Sequence, residues 1–166
     1  MMESAIFYEG HVPKGGVCMS SFLVLRGKAG ILVGKMAKPE LWTEKFQVGE
    51  PYASEAVSSG KWVLPASHLR FWESPEDAAN RILTEQLQAK KIKLKLLEAQ
   101  SHLSDPNDPE NAHWDICFVH GGTLKGALKS REWFSELKFV NPKKLTSDEF
   151  ARGHGDVLTQ LGVIKK

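Results

Sequence analysis

A helix start at residues 74–77 constrains the fold of this chain more than any other feature of its sequence. Ser74 is a preferred N-cap residue, Pro75 stands at the first helical position, and acidic residues follow at once. An apolar stripe then recurs every four residues, at Ala79, Leu83 and Leu87. The pattern predicts an amphipathic helix that runs to about Gln88 and packs one face on other elements.

Strand-like runs lie on both sides of this helix. A hairpin is predicted over 17–26 and 31–35, and further strands over 61–65, 92–96, 112–119 and 133–140, with Gly121 and Gly122 ending the fifth of these six runs. A terminal helix is predicted from the Thr146 cap to about Leu161, and residues 37–59 form an irregular insertion. This order of elements predicts an α/β fold with a mixed sheet.

Composition places the chain among soluble, single-domain proteins. It has 166 residues, of which 42% are hydrophobic and 25% charged, and its formal net charge is +2. Because no apolar run is long enough for a membrane span and the start lacks a signal-peptide pattern, we expect no membrane partner. Cys18 and Cys117 lie in apolar runs, which indicates buried free thiols and a cytoplasmic location.

The segment from Trp62 to Leu87 resembles the signature of the Nudix hydrolase superfamily. That signature reads Gly, five residues, Glu, seven residues, and then Arg-Glu-apolar-x-Glu-Glu-x-Gly-apolar. Glu73 and Arg81 have the required seven residues between them, and Glu85 takes the first paired glutamate position. The resemblance covers about 17–161 and implies a single Nudix-type α/β/α sandwich.

The departures from the signature fall on its functional positions. Ser67 replaces a glycine, Ile82 replaces the first glutamate, and Gln86 replaces the second paired glutamate. In the family, glutamates at these positions bind Mg²⁺ or Mn²⁺, which prefer clustered carboxylate oxygens. Positions 82, 85 and 86 are expected on one helical face because of their i, i+3, i+4 spacing. Here Glu85 alone stays as a candidate metal ligand and catalytic residue.

Other residues are predicted to join loop to helix, to contact a ligand or to supply carboxylates. By the resemblance, Glu73 and Arg81 form an ion pair that joins the loop to the helix. His68, Arg70 and Trp72 lie before the helix, where a guanidinium can hold a phosphate and an indole can stack on a base. Asp105, Asp108 and Glu110 either return carboxylates to the metal site or serve as turn residues.

Three functions stay open at this point. The first is recognition of a nucleotide or another diphosphate-linked small molecule, with weak or absent hydrolysis. The second is an active hydrolase of nucleoside diphosphate derivatives or sugar nucleotides that uses Mg²⁺ or Mn²⁺ and a relocated base, for which His68, His102 and His154 are candidates. The third is an RNA-binding or protein-interaction module, for which the lysines of 90–95 are the only support. Whether the chain is an enzyme is left undecided, and a homodimer is possible.

Overall fold

The computed structural model describes residues 15–46, 48–104, 107, 110, 112–126, 128–129 and 132–165. The strands are β1 (Val17–Gly27), β2 (Gly30–Met36), β3 (Ala66–His68), β4 (Lys95–Ser104), β5 (His113–Thr123) and β6 (Phe134–Val140). The helices are α1 (Pro39–Phe46), α2 (Tyr52–Ser59), α3 (Pro75–Glu85) and α4 (His154–Gln160). The predicted α/β class is confirmed. Within this part of the chain, no helix combines the length and apolarity that crossing a membrane requires.

The strands form one mixed sheet in the order β4–β5–β1–β2–β6, and β3 pairs with β1 outside this path. Strands β1 and β5 are parallel, while the other pairings are antiparallel. The central strand β1 is buried along most of its length because helices cover both faces of the sheet there. A near-continuous apolar run is what such a strand requires, and the run at 17–26 supplies it.

Alternate side chains of β1 enter two separate cores. Leu23 and Leu25 belong to a core on one face that also contains residues of α1, α2 and α3. Phe22 and Val24 belong to a core on the opposite face, together with Val157 and other residues near α4. Since successive strand residues point to opposite faces, this partition gives the three layers of an α/β/α sandwich.

Residues 37–59 are more regular than predicted. They form α1 and α2, which place Trp42 and Phe46 in the first core, at 2% and 5% exposure. The predicted strand at 61–65 is wrong, because Trp62 and Val63 make only isolated bridges and the strand begins at Ala66. The insertion is therefore structural, since it supplies apolar side chains to the core.

Two predicted strand boundaries are also wrong. The fourth run begins its strand only at Lys95 and continues to Ser104, and β5 passes through Gly121 and Gly122 to Thr123. A Cβ atom at Gly121 would lie 2.8 Å from a methyl carbon of Leu97. These glycines thus leave room for side chains of the preceding segment rather than ending the strand.

The predicted terminal helix is divided into two pieces. Thr146 caps a short 3₁₀ turn, where its N–H donates to a Glu149 carboxylate oxygen at 2.8 Å. Arg152 and Gly153 then adopt positive φ angles of 57° and 67°, and α4 begins only at His154. Backbone in this conformation cannot continue a right-handed helix, so the glycine ends one element and starts the next.

Candidate functional site

The start of α3 has the capping geometry that its sequence predicts. The Ser74 hydroxyl accepts a hydrogen bond from the Asp77 N–H at 3.1 Å and donates to the Asp77 carboxylate at 2.7 Å. The Ser74 backbone is extended and Pro75 occupies the first turn, where its missing N–H costs nothing. The helix start is thereby fixed locally, and the preceding loop is held against it.

Glu73 and Arg81 form a bidentate ion pair across this junction. Arg81 donates to both carboxylate oxygens at 2.7 and 2.8 Å, and also to the His68 carbonyl oxygen at 2.9 Å. Both side chains are only about one-tenth exposed (11% and 12%), so water screens the pair weakly. Burial raises the pKa of Glu73, but hydrogen bonds from Arg81 and from the Arg70 N–H hold that pKa below its ordinary value.

The three helix positions that bind metal in the family lie in different environments. Ile82 is fully buried in the first core, and Gln86 is 1% exposed just after the last turn. Glu85 is exposed, and its carboxylate lies 3.4 Å from the Arg70 guanidinium. The three positions are neighbours on the helix surface, as their i, i+3, i+4 spacing requires, but the packing buries Ile82 and Gln86 and leaves Glu85 in solvent.

Gln86 makes a contact that a glutamate could not make. Its Nε2 donates to the Ala66 carbonyl oxygen at 2.7 Å, and its backbone oxygen accepts from the Trp133 indole at 3.1 Å. An ionised carboxylate at this position would face the carbonyl oxygen as a second acceptor, so a cation or a proton would be needed between them. The amide donor of Gln86 removes that need.

Apolar side chains fill the space around Ile82. Trp42 and Phe46 of α1 share its core, and the Trp42 indole donates to the Trp133 carbonyl oxygen at 2.7 Å. A hydrated Mg²⁺ or Mn²⁺ needs several oxygen ligands and retains water, neither of which this packing provides. In the part of the chain that the structure covers, no three His, Cys, Asp or Glu residues are grouped for a metal ion. The residues present do not fit the metal that the family binds. Asp105 and Asp108, which were considered as further carboxylates for this site, lie outside the described residues.

The predicted ligand residues of the loop differ in exposure but lie around one groove. His68 is nearly buried at 9% exposure, Arg70 is held by Glu85, and the Trp72 side chain projects into solvent at 87% exposure. Trp72 has a positive φ of 64° and meets Phe71 edge to face, with ring centroids 5.3 Å apart. All three predicted residues line a groove of about 350 Å³ that also borders the start of β1.

A larger cavity, of about 860 Å³, lies between the ends of β4 and β5 and the start of α4. Phe22 and Tyr52 supply aromatic rings to its lining, Arg152 a guanidinium, and Asp115 and Asp156 carboxylates. The Asp115 carboxylate accepts hydrogen bonds from the Ser20 hydroxyl at 3.1 Å and from the Cys18 thiol at 3.2 Å. Sequence reasoning missed this site because its residues come from five separate segments and follow no motif.

The candidate histidine bases differ in their access to this cavity. His102 lines it, and its Nε2 lies 2.8 Å from the Gln100 side-chain oxygen. His154 is buried, and its Nδ1 accepts a hydrogen bond from the Leu64 N–H at 2.9 Å. Burial, with the nearby charge of Arg152, lowers the pKa of His154 well below its ordinary value. His154 is therefore a neutral acceptor within the fold, and of the three predicted bases His102 is the one that borders the cavity.

Comparison with known proteins identifies the architecture. No family model and no curated protein sequence matches the chain. Its fold is similar to a MutT protein from Methanosarcina mazei Go1, at 15% identity and a TM-score of 0.59, covering 90% of this chain and 95% of that one. It is also similar to a MutT NUDIX hydrolase from Burkholderia pseudomallei, at 16% identity and a TM-score of 0.58, with coverage of 87% and 97%.

A third similar structure is the NUDIX domain of Shewanella oneidensis NrtR, solved in complex with ADP ribose. It is 15% identical, has a TM-score of 0.54, and the alignment covers 86% of this chain and 84% of that one. At such low identities, the likeness shows the fold and leaves ligand and activity to be argued from the site.

Proposed function

We propose that this chain uses its Nudix fold to bind a nucleotide or another diphosphate-linked small molecule without hydrolysing it. The observation that carries the proposal is the environment of positions 82, 85 and 86. A buried isoleucine, an amide bonded to a carbonyl oxygen and one surface carboxylate paired with Arg70 offer a single anionic ligand, where a catalytic cation needs several oxygen ligands. Glu85, predicted as metal ligand and catalytic residue, therefore has no catalytic role in this proposal.

The cavity beside α4 supplies the binding site of the proposal. Its volume of about 860 Å³ is in the range of cofactor-sized sites. Tyr52 offers an aromatic ring for a planar base, Arg152 a cation for a phosphate, and Asp115 an acceptor for ribose hydroxyls. This chemistry also suits the ADP ribose that the S. oneidensis structure contains, which supports nucleotide-linked compounds as the class to be tested first.

The groove along His68, Arg70 and Trp72 is the second candidate location for the ligand. It is smaller, at about 350 Å³ against about 860 Å³ for the cavity. These three residues stay a prediction as ligand contacts. Because the cavity and the groove share no lining residue, variants of the two sites can be tested separately.

Calorimetric titration with nucleoside diphosphates and nucleoside diphosphate sugars tests the binding half of the proposal. We expect saturable binding that weakens roughly 10-fold or more in His102→Ala or Asp115→Asn, in line with the loss of one polar contact in a site. Arg70→Ala and Trp72→Ala should leave the affinity unchanged. The opposite result for these two pairs of variants would move the ligand to the groove.

Phosphorus NMR of the same compounds with Mg²⁺ or Mn²⁺ tests the hydrolysis half. We expect no turnover above the protein-free rate. Robust turnover that Glu85→Gln abolishes would overturn the proposal and establish the metal-dependent hydrolase. Turnover that survives Glu85→Gln but is lost in His102→Ala would instead favour the relocated base.

RNA binding stays an alternative with its own test. Ile92 and Leu94 pack against the first core, while Lys90, Lys91, Lys93 and Lys95 are exposed. A row of exposed lysines is also common on a surface segment that contacts only solvent and binds no RNA. Binding to short RNA that weakens steeply as salt rises would raise this alternative above the small-molecule proposal.

A further inference from the structure

The neighbouring strands β4 and β5 form one wall of the cavity beside α4. His102 of β4 and Asp115 of β5 both line the cavity, and they lie directly opposite each other in the antiparallel register. Side chains in such a pair have Cβ atoms about 4.5–5.5 Å apart. Both residues are partly buried. A single small group of a ligand can therefore contact His102 and Asp115 at the same time.

Asp115 has one carboxylate oxygen that the fold itself does not use. Its Oδ1 accepts hydrogen bonds from the Ser20 hydroxyl at 3.1 Å and from the Cys18 thiol at 3.2 Å, whereas the described residues supply no partner to its Oδ2. Both of these donors are neutral, and no residue that the structure describes forms an ion pair with Asp115. The negative charge of Asp115 is therefore left for a ligand to compensate.

The hydrogen bonds of Gln100 determine which ring nitrogen of His102 carries the proton. The Gln100 amide nitrogen donates to the Val157 carbonyl oxygen and to the Glu98 carboxylate, both at 3.0 Å. Its amide oxygen can only accept, and it lies 2.8 Å from Nε2 of His102, so Nε2 carries the hydrogen. In the neutral ring of His102 the other nitrogen, Nδ1, is therefore an acceptor.

The other charged groups of the lining favour a ligand that carries a positive charge beside its phosphates. Glu55 and Asp156 add two carboxylates to that of Asp115, whereas Arg152 supplies the guanidinium. A ligand with the negative charges of a diphosphate alone would be repelled by these carboxylates. A metal ion does not meet the need, since it requires several ligands and the described residues hold no group of three His, Cys, Asp or Glu placed for one.

We infer that the ligand of this cavity carries a primary amine, which Asp115 and His102 select. A protonated amine has three N–H donors and no acceptor, so it can donate to Oδ2 of Asp115 and to Nδ1 of His102 together while its charge compensates the carboxylate. A hydroxyl has one donor and no charge, and a quaternary ammonium has the charge but no donor.

The ligand class is therefore a nucleoside diphosphate ester of an amino alcohol or an amino sugar. This inference rests on the proposed function, in which the phosphates contact Arg152 on the α4 side of the cavity. It adds the chemical group at the other end of the ligand and the two residues that distinguish this group from a hydroxyl.

Calorimetric titration of the full chain with three cytidine diphosphate esters tests the inference. The ethanolamine ester supplies a charge and N–H donors, the choline ester a charge without donors, and the glycerol ester donors without a charge. We expect the ethanolamine ester to bind roughly 10- to 100-fold more tightly than either of the others, as expected for hydrogen bonds to a charged group. The uridine diphosphate esters of glucosamine and glucose, which differ in one amine, should show the same preference for the amine.

Asp115→Asn tests the residue that is held responsible. It should lower the affinity for the ethanolamine ester roughly 10-fold more than the affinity for the glycerol ester, because it keeps the size of the side chain and removes its charge. Glu44→Gln is the matched control. Glu44 is an exposed carboxylate of α1 that does not line the cavity, so its removal changes the net charge equally and should leave the preference intact.

The comparison of esters on the original chain needs no variant, so it decides the question even if Asp115→Asn does not fold. Equal affinities for amine and hydroxyl esters in both series, a choline ester that binds as tightly as the ethanolamine ester, or a preference that survives Asp115→Asn would each overturn the inference and leave the proposed function standing. Absence of binding by all five esters overturns the inference too. The proposed function fails with it only if the other nucleoside diphosphates and sugar nucleotides do not bind either.

Discussion

Two sets of signature positions in and around helix α3 have opposite physical characters. Glu73 and Arg81 keep the signature's charged residues and form a bidentate pair with distances of 2.7 and 2.8 Å. Ile82 and Gln86, by contrast, replace carboxylates and lie within the interior. The charged pair holds a loop to a helix, whereas the missing carboxylates would have held a cation.

The signature normally combines two requirements, a stable junction between loop and helix and the binding of a cation. In this chain the two are separate. Removing one partner of a buried ion pair leaves an uncompensated charge in the interior. A stable fold therefore requires both Glu73 and Arg81. The carboxylates of a cation site can be replaced without leaving a buried charge when apolar and amide side chains that pack well take their places. Helix α1 supplies part of the packing, since its Trp42 and Phe46 lie in the same core as Ile82.

Ile82→Glu is the most severe test of this comparison. We expect it to destabilise the fold by about 3–5 kcal/mol, because it buries a carboxylate among apolar side chains. Urea unfolding with and without Mg²⁺ measures the effect, and Mg²⁺ should restore none of it. Thr84→Glu, an exposed position two residues along, should change stability by about 0.5 kcal/mol or less. Recovery of Ile82→Glu by Mg²⁺ would mean that the metal site persists.

Arg81→Met tests the charged pair. We expect a loss of about 3 kcal/mol near neutral pH, since Glu73 would stay buried without its partner. The ordinary pair lowers the Glu73 pKa, so its stabilisation is present above the unfolded pKa and is lost as pH falls through the folded pKa. The penalty of the variant should therefore shrink in acid, as urea unfolding at a series of pH values would detect.

Arg70→Met is the control for this variant, because the Arg70–Glu85 pair is more than one-third exposed on both sides. It should cost about 0.5 kcal/mol or less. Equal losses for Arg70→Met and Arg81→Met would contradict the distinction between a buried structural pair and a surface pair.

The sequence predicts these two regions unequally, for physical reasons. The start of α3 depends on Ser74, Pro75 and Asp77, which act within one turn and can be recognised locally. The interior position of Gln86 depends on the Ala66 carbonyl oxygen, 20 residues away, and on Trp133, 47 residues away. Helical spacing makes positions 82, 85 and 86 neighbours on the helix surface, but only the tertiary packing determines which of them are buried.

The cavity beside α4 shows the same limit. Tyr52, Asp115 and Arg152 meet there although long segments separate them in sequence. The ligand contacts were instead predicted in the loop at 68–72, because the family signature can be recognised in the sequence there. The hairpin of β1 and β2, by contrast, depends on local features, namely two apolar runs and the glycines of the turn between them, and these were sufficient to predict it.

The pH dependence of stability tests a second buried titratable residue, His154, which lies on the opposite face of the sheet from Glu73. Burial lowers the pKa of His154, so the folded state stays neutral there while the unfolded chain takes up a proton below about 6.5. This contribution to stability is present above the unfolded pKa and is lost as pH falls. His154→Asn keeps an acceptor for the Leu64 N–H, and should reduce the stability lost between pH 7 and pH 5 by up to about 2 kcal/mol. Parallel pH profiles for the two proteins would contradict this assignment.

Glu85→Gln should have the smallest effect of the series. The Glu85 carboxylate is exposed and meets only the Arg70 guanidinium at 3.4 Å, so its removal should cost about 0.5 kcal/mol or less. Ligand affinity at the cavity should be unchanged, with or without Mg²⁺, since Glu85 does not line it. The measurement is a pair of calorimetric titrations beside one unfolding curve. Loss of affinity in the presence of Mg²⁺ alone would show that a cation joins Glu85 to the ligand, and the positions of the signature would then keep part of their metal-binding function.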